Sequence, residues 1–335
     1  MLPAILGLSG MELSDEERAL IRDTDPAGFV LFGRNVADKA QLKALTDSLR
    51  DASGRVDLPI LIDQEGGRVA RLRPPVWPEF PAGWRFAELY DKAPISAIEA
   101  ARVNALVIAL TLAEVGVNVD CLPLLDVRQP GAHDVIGDRA LGDEPMRVAA
   151  LGRAILDGLE AGGAIGVVKH IPGHGRASAD SHKTLPVVEA DKAALAVDLA
   201  PFRALADAPM AMAAHVLYPV WDKALPASVS PTIVGQVIRG EIGFDGLLMS
   251  DDIAMEALSG TMAERARAVL AAGCDVVLHC SGASADNEAI ASALGEMSET
   301  ASARLGRAMA RTGQGLSGAD PAVLAAKRDA LLAYA

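Results

Sequence analysis

A chain of 335 residues, 51% hydrophobic and carrying 31 glycines, has enough apolar matter for one large α/β core or two smaller ones. Its formal net charge of -13 is set against phosphate backbones and anionic lipid, and no basic run offsets it, so neither nucleic acid nor a membrane surface is an expected partner. Cys121, Cys274 and Cys280 form no C-x-x-C pair and leave an odd thiol under any disulfide scheme, which points to a reducing, cytoplasmic setting.

In chain order, residues 1–10 are apolar without a basic flank and read as a first strand, not an export signal. Strand-length apolar runs then recur at 4–8, 28–32, 59–63, part of 117–125, 166–170, 210–215, 247–251 and 275–279. Helical patterns fall between them, at 38–52, 97–114, 145–161, 191–205, 231–241 and 262–271. Glu114, Asn118 and Asp120 interrupt the most apolar longer stretch, 105–125, which argues against a membrane span. Gly162, Gly243 and Gly273 follow helical segments, where a left-handed residue is the usual way out of a helix.

Eight alternations predict a closed barrel. An open doubly wound sheet would share the pattern, but no G-x-G-x-x-G follows an early strand. The expected fold is therefore α/β: a single (β/α)8 TIM barrel over residues 1–284, with a C-terminal helical extension, 285–335, packed on it. That extension carries a Gly/Ser break at 313–318 and a last helix from Pro321.

In such a barrel the βα loops converge where the strands end, and function gathers there. The strand-end residues are Arg34, Asp63, Asp126, Lys169, His170, His215, Asp251, Asp252 and His279. One polar strand end merely marks the start of a loop. A ring of them is different, because burying several charges around one axis costs several kcal/mol per unpaired ion unless they pair or hold a polar ligand.

The segment Lys169-His170-Ile171-Pro172-Gly173-His174-Gly175, followed by Asp180-Ser181-His182, holds three of the six histidines. In an extended loop, residues two apart share a side, so Asp180 can accept from one nitrogen of His182 and fix its tautomer. With Asp63-Gln64-Glu65-Gly66-Gly67-Arg68 and Ser250-Asp251-Asp252-Ile253-Ala254-Met255-Glu256, this segment resembles glycoside hydrolase family 3, most nearly its bacterial β-N-acetylglucosaminidases (β-hexosaminidases). The resemblance runs from the first strand to the eighth.

It implies that Asp251 is the nucleophile of a retaining reaction and His182 the acid/base, oriented by Asp180. It also implies that Asp63, Arg71, Arg139, Lys169 and His170 bind substrate. No metal and no cofactor is implied. The implied substrate is a terminal N-acetylglucosamine on small 1,6-anhydromuramoyl muropeptides, released during cell-wall recycling. A monomer is expected. Aromatic residues are only 4% of the chain, which suits a pocket for one sugar better than a long stacking groove.

Strand alternation puts Leu247, Met249 and Asp251 on one face and Asp252 on the other, where it would pair or cap a helix. Arg68 reads either as part of the grip or as a salt bridge within its own loop. Ile171, Ala213 and the Ile253-Ala254-Met255 tail depart from the family pattern without removing a charged group. Other readings are a family-3 β-glycosidase or phosphorylase of different sugar or acceptor, and a non-catalytic sugar-binding barrel. A metal-dependent hydrolase is disfavoured, since Pro172 and two glycines forbid a helical His pair and no H-E-x-x-H or H-x-H occurs.

Overall fold

The computed structural model describes residues 1–313, 318 and 320–334. Among these, eight parallel strands close into a barrel in sequence order. They are β1 (Leu2–Gly7), β2 (Pro26–Leu31), β3 (Ile60–Ile62), β4 (Val119–Asp120), β5 (Ile165–Ile171), β6 (Met210–Ala213), β7 (Leu247–Asp252) and β8 (Val276–His279). β8 pairs back onto β1, so no strand edge is left open. Each of the eight lies within or beside its predicted run. β4 is the shortest, because the chain leaves the sheet at Cys121 to form the loop that carries Asp126.

The helices are α1 (Asp15–Thr24), α2 (Lys39–Ser53), α3 (Gly83–Lys92), α4 (Pro94–Glu114), α5 (Pro145–Ala161), α6 (Lys192–Ala204), α7 (Met262–Ala272), α8 (Ser284–Ala293), α9 (Glu299–Met309) and α10 (Pro321–Leu332). A π-helix, Ile233–Ile242, occupies the place after β6. Local chemistry sets several starts. Ser14 and Glu17 form a capping box on α1, as Thr261 and Glu264 do on α7.

Gly243 (φ 79°) and Gly273 (φ 101°) leave their helices left-handed, as expected. Gly162 does not. Its φ is -93°, and the next residue, Gly163 (φ 86°), makes the turn, so the left-handed position lies one residue later than the sequence pattern placed it.

α4 is long and apolar enough to cross a bilayer by length and composition, but 67% of that stretch is buried inside the protein. It packs chiefly on α5 and α10. Gly158 permits the α5 crossing, since a Cβ there would stand 2.2 Å from the Arg102 carbonyl oxygen.

Two apolar layers result. One lies between sheet and helices. The other fills the barrel with inward residues such as Ile5, Val30, Leu61, Val167 and Met249. Leu305, Ala308 and Met309 of α9 belong to this inner layer. Arg304 of the same helix bonds Asp245 and Asp275, which precede β7 and β8. α9 therefore stops the N-terminal mouth of the barrel, while the C-terminal mouth stays open. α10 lies on the outside, against α4. Of the 313–318 break, residues 314–317 lie outside the described residues.

If α9 is the floor of the barrel, Leu305→Ala should open a cavity under it. The expected loss is about 2–4 kcal/mol, read as a lower urea midpoint with an unchanged slope. A loss under about 0.5 kcal/mol, the range of ordinary surface substitutions, would show that α9 is not a packed floor.

Candidate active site

At the C-terminal mouth the strand ends enclose a cleft of about 410 Å³. Asp63, Arg71, Arg139, Lys169, His170, His182 and Asp251 all line it. Asp180, the remaining predicted site residue, lies behind His182 and lines a neighbouring shallow depression.

Lys169 on β5 is buried, with a side chain only 2% exposed. Its Nζ stands 3.0 Å from Asp63 Oδ1 and 2.7 Å from Glu65 Oε1. Arg71 donates to Asp63 Oδ2 (2.9 Å), and Arg139 holds both oxygens of Glu65 at 2.8 Å. Burial alone would discharge these groups, but mutual attraction outweighs it. Lys169 is held well above the ordinary lysine value against its burial. Likewise Asp63 lies far below the carboxylate range, and Glu65 is brought down to about 2, by Lys169 with Arg71 and Arg139 respectively. The result is a fixed row of donors and acceptors suited to vicinal hydroxyls.

His170 follows Lys169 directly, and in a regular strand the two would face opposite ways. Here β5 slips its register against β6 between Lys169 and Ile171, and both side chains reach the cleft. Asp126, fully buried, fixes His170. Its Oδ2 lies 2.7 Å from His170 Nδ1, while Oδ1 accepts the backbone N–H groups of His170 (3.2 Å) and His174 (2.6 Å). The Nδ1 of His170 is thereby committed to Asp126 and its Nε2 left for a ligand.

β7 makes a second slip, between Met249 and Asp252. Leu247 and Met249 face the barrel interior as predicted. Asp252, however, does not turn away, and it lines the cleft beside Asp251. Its Oδ1 accepts the N–H groups of Ala254 and Cys280, both at 3.0 Å, so it ties the loops after β7 and β8 together. Asp251 is 7% exposed and accepts the Asp252 N–H at 2.9 Å. Burial would raise its pKa, but the nearby imidazoles of His170 and His215 and that N–H bring it below the usual value. The carboxylate is anionic and poised at the floor.

His182 stands at the mouth on the loop after β5, its side chain 60% exposed. Asp180 Oδ1 lies 2.8 Å from His182 Nδ1 and accepts the His182 N–H at 3.0 Å. Burial acts against the Asp180 anion, but these hydrogen bonds hold its pKa below normal. Among the described residues, no hydrogen bond joins His182 to Asp251.

Other strand-end residues bond to the scaffold, although Arg34 also lines the cleft. His215 is 2.6 Å from Ser228 Oγ and 3.0 Å from the Asp252 carbonyl oxygen. His279 lies between Asn287 (2.8 Å) and Ser281 (2.9 Å). Arg34 donates to the Leu8 carbonyl and stacks on Phe32, whose ring Arg71 also covers. Arg68 does not pair within its own loop. It reaches across to Asp138, at 2.9 Å.

Three participants carried no role in the sequence reading. Glu65 is the central counterion, and its position two residues after Asp63 in an extended segment was the available signal. His174 lines the cleft with its Nδ1 unpartnered, and burial beside His170 brings it down to about 4, so it is neutral. Asp120 sits fully buried near the Lys169 group. Burial pushes it up to about 8 despite the Gln64 N–H at 3.0 Å on Oδ1, and its Oδ2 has no partner. Its place as an acid inside the apolar run 117–125 was the available signal.

Comparison with known proteins identifies the family and the fold. Residues 4–312 match the family described as Glycosyl hydrolase family 3 N terminal domain. A Beta-hexosaminidase of Bordetella avium is 40% identical over 283 residues, covering 83% of this chain and 80% of the relative. Another, from Thiobacillus denitrificans, is 38% identical over 310 residues, covering 91% and 85%. Among solved structures, NagZ from Neisseria gonorrhoeae in complex with N-trifluoroacetyl-D-glucosamine superposes with a TM-score of 0.88 at 31% identity, covering 99% of this chain and 97% of that one. A family 3 β-N-acetylglucosaminidase from Paenibacillus gives 0.87 at 32% identity, covering 98% and 66%. With a match spanning nearly its whole length, the chain belongs to glycosyl hydrolase family 3.

Proposed function

We propose that this chain is a retaining exo-β-N-acetylglucosaminidase that releases terminal N-acetylglucosamine from small anhydromuramoyl muropeptides in cytoplasmic cell-wall recycling. The observation that carries the reading is an anionic carboxylate, Asp251, at the floor of a cleft whose mouth bears a carboxylate-backed imidazole, His182.

In the first step an Asp251 oxygen attacks C1 of the sugar while protonated His182 gives its Nε2 proton to the departing glycosidic oxygen, yielding a glycosyl-enzyme and an alcohol. In the second, His182 takes a proton from water, the hydroxyl adds to C1, and Asp251 leaves. Two inversions retain the configuration. Asp180 accepts from Nδ1, so the proton is exchanged at Nε2.

Asp63, Lys169, Arg71, Arg139 and His170 bind the hydroxyls of a single sugar. The closed floor and the neighbouring open depression favour cleavage of one residue from an end, with a variable leaving group outside. Beta-hexosaminidase relatives and the glucosamine derivative held by the gonococcal protein support an amino sugar. Three free thiols suit a reducing compartment. The enzyme acts as a monomer on this reading.

Four outcomes test it. Asp251→Ala should lower turnover of a nitrophenyl β-N-acetylglucosaminide by at least about 10³-fold, and an activated fluorosugar should label a peptide containing Asp251. Label elsewhere, or retained turnover, refutes the nucleophile. Proton NMR of the first product should show the β-anomer; the α-anomer refutes retention. A muropeptide with an N-acetylglucosaminyl end should be shortened by one sugar.

His182→Ala should lose about 10²–10⁴-fold in kcat/KM where the leaving group is a sugar, and far less with dinitrophenol, which departs unprotonated. Equal losses exclude it as the acid.

Asp120 supplies the pH test. Its folded pKa, about 8, lies above its unfolded value, so its protonated form contributes stability that is present at low pH and lost as pH rises through about 8. Asp120→Asn cannot ionise. Its stability relative to the parent should therefore improve steadily between about pH 4 and pH 8, the window set by those two values. Denaturant melts across this window check it, and a flat difference rejects a neutral buried Asp120.

A further inference from the structure

Arg68 belongs to the motif that supplies Asp63 and Glu65, yet it contacts neither. Its Nη2 donates to three successive carbonyl oxygens, those of Asp134 (2.6 Å), Val135 (3.0 Å) and Ile136 (3.2 Å), and its Nε faces Asp138 at 2.9 Å. Arg139, which grips Glu65, donates to the same Val135 oxygen at 3.0 Å. The loop after β4 is thus fastened to the sugar-gripping cluster by two guanidinium groups.

The far side of that loop holds the segment bearing the proposed acid/base. His133 N–H donates to the Ala177 carbonyl (2.8 Å) and Gln129 N–H to that of Gly175 (3.0 Å). The backbones approach closely there, since a Cβ on Gly175 would lie 2.0 Å from the Val127 oxygen. Beyond Ala177, among the described residues, the hydrogen bonds of residues 178–185 stay within the segment, as those of His182, Lys183 and Thr184 to Asp180 do. The next tie to the barrel is the Pro186–Leu217 pair, at 2.9 Å. Asp180 and His182 therefore hang between two anchors, and the loop that Arg68 holds builds the first of them. Arg68, His133, Asp180 and His182 also line one depression beside the cleft.

We propose that Arg68 is a positioning residue for His182: it sets the place of the proton-transferring imidazole through residues 133–138 and the Ala177 anchor, without touching substrate. The inference rests on the acid/base reading of His182. Misplacing such a group by a fraction of an ångström slows proton transfer and leaves sugar binding in place. Nη2 meets the three carbonyls while Nε faces Asp138, so two nitrogens of one planar group serve two sets of partners, which a single ammonium nitrogen does not do.

The test compares kcat/KM, which reports the glycosylation step, on di-N-acetylchitobiose and on dinitrophenyl β-N-acetylglucosaminide, for the parent, Arg68→Ala and His182→Ala. Arg68→Ala is expected to lose about 10-fold or more on the disaccharide and under about 3-fold on the dinitrophenyl substrate, a smaller copy of the His182→Ala split. Equal losses on both substrates, with His182→Ala still split, would overturn this inference alone and make Arg68 a support of the sugar grip. Equal losses in His182→Ala would overturn the acid/base reading and this inference with it. Should Arg68→Ala not fold, Arg68→Lys, which keeps the charge beside Asp138, takes its place in the comparison. It is expected to show the same split at reduced size, and equal losses count against the inference in the same way.

Discussion

The architecture of the cleft depends on one buried ammonium. Lys169 lies beneath the mouth with a 2% exposed side chain, and an unpaired charge there would cost several kcal/mol. It is tolerated because Asp63 and Glu65 converge on it from the end of β3, each bringing an arginine. This constraint fixes the distance between two strand ends and the segment carrying Arg139. Burial keeps the neighbouring Asp120 protonated, and the two carboxylates already ionised on Lys169 oppose its charge further.

From this cluster the site divides into a rigid half and a suspended half. Lys169 and Asp251 face the cleft by strand alternation, and His170 and Asp252 join them where β5 and β7 slip register at the mouth. Those slips turn neighbours that alternation would separate toward one ligand. His182 instead stands on a loop, 60% exposed, suspended between fastenings at Ala177 and Pro186. Such a division suits the acid proposed for His182, which would meet leaving groups of varied shape while the sugar is held in one fixed place.

The closed end matters as much as the open one. α9 fills the N-terminal mouth with Leu305 and Met309 and locks itself by Arg304 to the residues preceding β7 and β8. The inner apolar layer is thus continuous from this floor up to Cys121 and Met212 just under the ligand cleft. Packing of this kind gives the strand ends a stable base from which to present charges.

By itself the sequence determined the alternation of strands and helices, hence the barrel. It also determined the ring of polar strand ends and the local pair Asp180–His182, because periodicity, capping and i, i+2 geometry act over a few residues. Only the tertiary structure decided what depends on contacts between distant segments or on broken regularity. Such were the Glu65 bridge to Lys169 and Arg139, the protonated Asp120, the reach of Arg68 to Asp138, and the turn of Asp252 toward the cleft. Each arises from long-range electrostatics or from a register slip, and neither leaves a period in the chain that carries it.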